Sequence, residues 1–159
     1  MRARIRSALA PSLCALALSA ASAPAQPPGF VTPPDSLLTV VYAPALRVDL
    51  AHSRRLQGVY VRDLRTGRGD TVRTFATLTL RLRMRLPDGS AVGADTAVQV
   101  QRWLPGTYLH GIEVGLRGMR AGGRRQLVLP AALAYGEHAP PGVPPGAPLV
   151  VDVELLHVG

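Results

Sequence analysis

The segment TLTLRLRMRL, residues 77–86, constrains the fold of this chain more strongly than any other. Apolar side chains occupy every second position, at Leu78, Leu80, Leu82, Met84 and Leu86. Threonine or arginine fills the positions between them. A period of two over this length predicts a strand with one buried face and one solvated face. The Pro-Asp-Gly sequence at 87–89 predicts the turn that ends this strand.

Other segments repeat the strand signal around a single short helix. They read GVYVRDL, AVQVQRWL, RRQLVLP and PLVVDVELLHV. Between them, Ile112, Leu116 and Met119 recur at helical spacing, and Gly122 and Gly123 are expected to end that helix. About five strands and one helix predict an α+β domain, in which an antiparallel sheet carries a helix on one face.

The first 25 residues have the order of a secretory signal peptide. Arginines at positions 2, 4 and 6 precede an apolar run from Leu9 to Leu18, and small residues follow. The run is shorter than the roughly 20 residues that a membrane span needs. We expect cleavage after Ala25 and an exported chain, periplasmic or extracellular, with a retained N-terminal membrane anchor as the alternative. The only cysteine, Cys14, lies in this segment, so the exported domain would lack thiol chemistry.

Residues 26–57 are interpreted as a Pro-rich leader followed by an N-terminal extension, ahead of a domain at 58–159. The sequence QPPGFVTPPD at 26–35 is typical of extended backbone. The next residues show short apolar runs without a clean period, which fits an extra strand or a short helix packed on the domain.

Charge and composition exclude several function classes. Without the signal peptide the chain has 15 arginines against 10 acidic residues, and it contains no lysine. The arginines are dispersed and export is expected, so we expect no nucleic-acid partner and at most weak contact with an anionic membrane. The four histidines lack ligand spacing, and neither a metal site nor a cofactor is expected.

The C-terminal half contains GIEVGLRGMRAGGRRQLVLPAALAYG followed by PPGVPPGAPLVVDVELL, and GVYVRDLRTGRGD and LPDGS lie upstream. The first two segments, and more weakly the last two, resemble the FKBP-type peptidyl-prolyl cis-trans isomerases. The resemblance covers about residues 58–158. It implies a twisted antiparallel sheet wrapped around one short α-helix, and an activity on Xaa-Pro bonds of unfolded or extended polypeptides. The oligomeric state stays open.

The resemblance also implies which residues form the site. Tyr135 takes the place of the tyrosine that bonds the substrate carbonyl, Leu109 that of the residue holding the prolyl unit, and Ile112 that of the tryptophan floor. These three are the expected catalytic residues. The expected substrate-binding residues are Leu82, Val92, Tyr108, Val143 and Val151. At several of these positions an aliphatic side chain replaces an aromatic one.

Three functions therefore remain open at this point. The first is an exported prolyl isomerase that assists folding, which needs no nucleophile or general base because the reaction twists an amide. The second is a non-catalytic binding module that uses the same groove. The third is an envelope-associated structural domain that uses its arginines.

Overall fold

The computed structural model describes residues 36–93 and 98–159, which form one sheet around a short helix. The strands are β1 Arg54–Leu56, β2 Val59–Arg65, β3 Thr77–Arg85, β4 Ala91–Val92, β5 Val98–Arg102, β6 Arg124–Leu129 and β7 Leu149–Val158. The helix α1 spans His110–Leu116. Three 3-10 turns lie at Ser36–Leu38, Pro44–Leu46 and Ala131–Leu133.

All strand pairs are antiparallel, in the order β1-β2-β6-β7-β3-β4, and β5 also pairs with β3. The long strand β3 thus has β7 on one side, with β4 and β5 following each other along the other side. The α+β class with one helix is confirmed. The expected count of about five strands was wrong, because β1 and β4 are too short to show an alternation of their own.

The inner face of the sheet and the helix form the main core. The apolar positions of β3 that the alternation selects, Leu78, Leu80 and Leu82, are at most 5% exposed. The helix ends at Leu116 rather than at the predicted glycines 122 and 123, because the chain turns at Gly118, whose φ is +70°. Met119 therefore lies outside the helix, yet it is still buried in the same core.

The outer face of the sheet is covered at one end by the segment before β1. Tyr60, Val128 and Val150 lie side by side on β2, β6 and β7. Leu37 and Leu46 pack on this row and form a second apolar cluster with it. The backbone N–H of Ala43 also donates to the Pro87 carbonyl at 2.8 Å. Residues 36–56 thus contribute two 3-10 turns and one strand to the domain.

Charged residues occupy the rest of the outer face. Arg81 donates to Glu154 at 3.0 Å across β3 and β7, and Arg65 reaches the same carboxylate at 3.4 Å. The predicted signal peptide and the leader at 26–35 lie outside the described residues. Within the ranges 36–93 and 98–159, no helix is long and apolar enough to cross a membrane.

Candidate active site

A cavity of about 300 Å³ lies between β4 and the Pro-rich loop that precedes β7. Its walls are Ala91, Val92, Gly93, Tyr135, Pro140, Pro141, Gly142 and Val143. The Tyr135 hydroxyl is the one polar side-chain group in this lining. The cavity therefore suits an apolar ring with a carbonyl beside it better than a charged ligand.

The Pro-rich loop is built from two consecutive turns of the same kind, PPGV and PPGA. In each turn the N–H of the last residue donates to the carbonyl of the first: Val143 to Pro140 at 3.0 Å, and Ala147 to Pro144 at 3.2 Å. The glycine third in each turn has a positive φ, as a type II turn with proline second requires. The loop is thus rigid before any ligand arrives, which lowers the entropy cost of binding.

The second turn is also tied to the segment that carries Tyr135. The N–H of Gly146 donates to the Gly136 carbonyl at 2.9 Å. This bond joins the residue after Tyr135 to the Pro-rich loop, so these two parts of the cavity lining belong to one hydrogen-bonded unit. The hydroxyl of Tyr135 has no hydrogen-bond partner in the described part of the chain, and it is available to a substrate carbonyl.

Beneath the cavity, one row of residues crosses the inner face of the sheet. Val151 on β7 pairs with Met84 on β3, and Met84 pairs with Val92 on β4. The methyl carbon of Met84 would lie 4.0 Å from a Cβ placed on Gly93. Met84 therefore underlies the cavity edge, and its flexible thioether fills space between the smaller valines.

The loop that leads into α1 lies outside the cavity lining. The carboxylate of Glu113, 7% exposed, accepts the N–H of Gly106 at 2.7 Å and that of Tyr108 at 3.4 Å. It holds the loop against the helix. The backbone N–H of Leu109 donates to no acceptor within the described residues.

The eight predicted residues all belong to, or pack against, the main core cluster. Val92, Tyr135 and Val143 line the cavity directly. Leu82, Ile112 and Val151 are at most 5% exposed and lie in the core behind it. Tyr108 and Leu109 are half-buried in the loop before the helix.

Tyr108 has an unusual environment for a phenol. Its hydroxyl oxygen is buried and finds no hydrogen-bond partner among residues 36–93 and 98–159, and burial raises the pKa of this group above its ordinary value of 10.0. The ring does not line the cavity. Trp103, the other aromatic side chain near the helix, lines a separate cleft of about 440 Å³ with Arg73 and Arg117.

The predicted site residues leave out six contributors to this site. Pro140, Pro141, Gly142, Ala91 and Gly93 line the cavity, and Met84 lies beside it on β3. The repeated Pro-Pro-Gly sequence is a signal that could have found the first two, since each copy predicts a turn with proline second and glycine third. Met84 appears in the sequence only as one more apolar position of a strand.

The comparisons with known proteins agree with this architecture. The family described as FKBP-type peptidyl-prolyl cis-trans isomerase matches residues 64–156, more than half of the chain. The chain belongs to this family, as its resemblance in sequence indicated. The match includes the cavity, the Pro-rich loop and the helix.

Curated relatives are longer proteins of fungi. The chain is 38% identical to FK506-binding protein 4 of Chaetomium thermophilum, over 65% of this chain and 22% of that protein. It is 33% identical to FK506-binding protein 4 of Neurospora crassa, over the same shares of both chains. The chain thus spans about a fifth of the length of these relatives.

Solved bacterial structures have the same fold. FkpA from Escherichia coli is 31% identical, with a TM-score of 0.57 over 64% of this chain and 48% of that one. A peptidyl-prolyl cis-trans isomerase from Pseudomonas syringae is 26% identical, with a TM-score of 0.62 over 77% of this chain and 95% of that one.

Proposed function

We propose that this protein is a peptidyl-prolyl cis-trans isomerase that acts on Xaa-Pro bonds of unfolded or extended polypeptides. The observation that carries the proposal is the 300 Å³ cavity, which joins apolar walls to one available hydroxyl. Family membership supports the same reaction.

The reaction needs little chemistry from the protein. Rotation about an Xaa-Pro bond breaks the amide resonance, and the twisted amide is less dipolar than either planar form. Val92, Val143 and the loop prolines surround the prolyl ring with apolar surface and keep water out. This environment disfavours the planar amide more than the twisted one, which lowers the barrier.

Two donors orient the substrate in this mechanism. The N–H of Leu109 and the hydroxyl of Tyr135 bind carbonyls of the peptide beside the proline. Glu113 positions the first donor by holding the 104–109 loop, and the bond from Gly146 to Gly136 positions the second. No proton is transferred and no covalent intermediate forms.

A second function, binding without turnover, is favoured by the aliphatic side chains in the cavity wall and in the core behind it. Val92, Ile112 and Val151 stand where the family has aromatic rings, and each lost ring removes part of a surface of about 150–250 Å². A looser fit would hold a peptide without selecting its twisted state. Refolding assays separate the two functions.

The assay uses an unfolded, disulfide-intact protein whose slow refolding phase is a proline isomerisation. An isomerase accelerates this phase at amounts well below those of the client. A binding module leaves the rate constant unchanged and suppresses client aggregation only at comparable amounts. No acceleration at any concentration of the folded protein would refute turnover on protein clients.

The site of action is part of the proposal. The order of the first 25 residues supports export, with clients among exported proteins, and the net charge of the remaining chain supports weak contact with anionic membranes. Expression of the full chain in a bacterium, followed by N-terminal sequencing of the periplasmic fraction, is expected to give Gln26 as the first residue. An intact N-terminus in the cytoplasm would contradict export.

A further inference from the structure

The strand β5 has one neighbour in the described part of the sheet, β3, and leaves its other edge unpaired. Thr77 lies opposite Arg102 in this pair. The N–H and the C=O of Thr77 both bond to Gly159, on the side of β3 that faces away from β5, at 2.9 and 2.8 Å. The neighbouring residue Ala76 instead accepts the N–H of Trp103 at 2.9 Å, on the β5 side. Residues of an antiparallel ladder alternate in this way.

The alternation determines which backbone groups face the free edge. Gln99 and Gln101 direct their N–H and C=O groups towards β3. Val98, Val100 and Arg102 direct theirs away from it. No acceptor or donor in the ranges 36–93 and 98–159 takes up these outward groups, and only another extended backbone presents partners at the matching spacing.

The side chains of this edge add an apolar surface. Val98 is 46% exposed and Val100 67% exposed, and both project from the same face of the strand. Proteins usually protect such an edge with charged side chains, proline or a bulge. In β5 the charge is limited to Arg102 at its end, and the described residues of the strand contain no proline and no bulge.

The free edge lies along the same side of β3 as the cavity strand β4, with its two valines on the outer face of the sheet and Val92 on the inner face. Both β4 and β5 lie along the same side of β3, where Val92 pairs with Met84 and Val98 pairs with Arg81. These β3 positions are three residues apart, or about 10 Å. A peptide with its proline beside Val92 therefore reaches β5 within three or four residues.

We propose that β5 is a subsite for the client chain. An extended segment next to the proline adds to the sheet as a further strand, and bonds to the outward groups of Val98, Val100 and Arg102. Apolar side chains at alternate client positions pack on the two valines. The inference rests on the proposed function in one respect, that the cavity binds the proline of the same client polypeptide.

The test uses the full chain labelled with ¹⁵N, and two peptides with the same proline. The long peptide has valines at alternate positions beside the proline, and the short one ends at the neighbours of the proline. We expect the long peptide to slow amide hydrogen exchange at Val98, Val100 and Arg102. Gln99 and Gln101, already bonded to β3, should not change, and the short peptide should protect none of the five.

A matched pair of variants isolates the backbone contribution. Val100→Pro removes one outward N–H and leaves the β3 ladder intact, since proline is tolerated where the N–H faces solvent. We expect it to weaken binding of the long peptide about fivefold, as for the loss of one hydrogen bond. Val100→Thr keeps the N–H and the branched side chain and should bind nearly as wild type. Neither should alter isomerisation of the short peptide.

Three results would overturn the subsite. The first is an equal loss of affinity for both peptides in Val100→Pro, and the second is that the long peptide binds wild type no more tightly than the short one. The third is slow amide hydrogen exchange at Val98 and Val100 in the protein without peptide. The last would mean that another part of the chain, or a second copy, already covers the edge. If the long peptide protects β5 while no peptide isomerises faster, the subsite stands and the proposed catalysis fails. Faster isomerisation without protection of β5 would support the catalysis and refute the subsite.

Discussion

Gly115 of the helix lies directly against Leu127 of β6. A Cβ at position 115 would come within 2.9 Å of the Leu127 Cγ atom, a distance that real Cβ atoms essentially never show. The absence of a side chain thus lets the helix approach the sheet closely. The same approach positions Ile112, one turn earlier, and the loop that carries Leu109.

Gly115→Ala is expected to destabilise the fold, although alanine favours helices over glycine by about 1 kcal/mol. Overpacking against Leu127 costs about 1–3 kcal/mol, so the free energy of unfolding should fall by a net amount of up to about 2 kcal/mol. Urea denaturation measures this change. His110→Ala, at an exposed helical position, is the control and should be nearly neutral. A more stable Gly115→Ala variant would show that helix and sheet are not held at this distance.

Arg125 connects the helix end to the sheet from inside the protein. Its guanidinium is buried and donates to the Asp63 carboxylate at 2.6 Å, and to the carbonyls of Gly115 and Arg117 at 2.6 and 3.1 Å. Arg125→Ala removes the buried donor of the Gly115 carbonyl, while the exposed Asp63 carboxylate keeps its bond from Arg54 at 2.8 Å. We expect a loss of about 1–3 kcal/mol in unfolding free energy.

The ammonium group of lysine cannot reproduce the planar set of N–H donors of a guanidinium. Arg125→Lys should therefore lose less unfolding free energy than Arg125→Ala but remain less stable than wild type. Arg68→Ala, at an exposed arginine, provides the control and should change stability by less than about 0.5 kcal/mol. Equal stability of the Arg125→Ala and Arg68→Ala proteins in urea would rule out the proposed role of Arg125.

Tyr108→Phe is expected to stabilise the protein by about 1 kcal/mol, because it removes a buried hydroxyl that lacks a partner in the described part of the chain. The pH dependence gives an independent readout. Burial raises the pKa of Tyr108, so the unfolded chain loses this proton near pH 10 before the folded one does. The free energy of unfolding therefore decreases as the pH rises above about 10. This decrease should be smaller in Tyr108→Phe, and identical pH profiles for the two proteins would refute the assignment.

Tyr135→Phe tests the hydroxyl that faces the cavity. If this group bonds a substrate carbonyl, its loss should reduce kcat/KM for Xaa-Pro peptides about three- to tenfold. The thermal midpoint should stay unchanged, since the hydroxyl has no partner in the described part of the protein. A normal kcat/KM in Tyr135→Phe would contradict a bond from the hydroxyl to the substrate and would limit the role of Tyr135 to its ring.

Much of this fold could be predicted because its main strands have one buried and one solvated face. The period of two in β3 and β7 reflects that asymmetry directly. The segment 36–56 has no period, since Leu37 and Leu46 are buried by distant residues such as Tyr60. The helix end could not be predicted from apolar spacing, because Met119 is buried although the chain has already turned at Gly118.

The site was less predictable than the fold. Resemblance led to Val92, Tyr135 and Val143, which the structure places around one cavity. Ile112 and Val151 were expected to contact substrate, and both lie in the core behind its walls, where they contribute shape. Spacing along a sequence does not distinguish a wall from the layer behind it, since both consist of apolar side chains.

The most direct test of this account is the cis-trans exchange rate of Xaa-Pro peptides, measured by NMR exchange spectroscopy with and without the protein. We expect faster exchange with the wild-type chain. Val143→Asp, which places a charge in the cavity wall, should lower the acceleration at least about tenfold, a loss of about 1.4 kcal/mol of transition-state stabilisation. Val41→Asp, at a side chain that is 89% exposed, should match wild type. Unchanged exchange with the folded wild-type protein, or full activity in Val143→Asp, would contradict the claim that this cavity is an isomerase site.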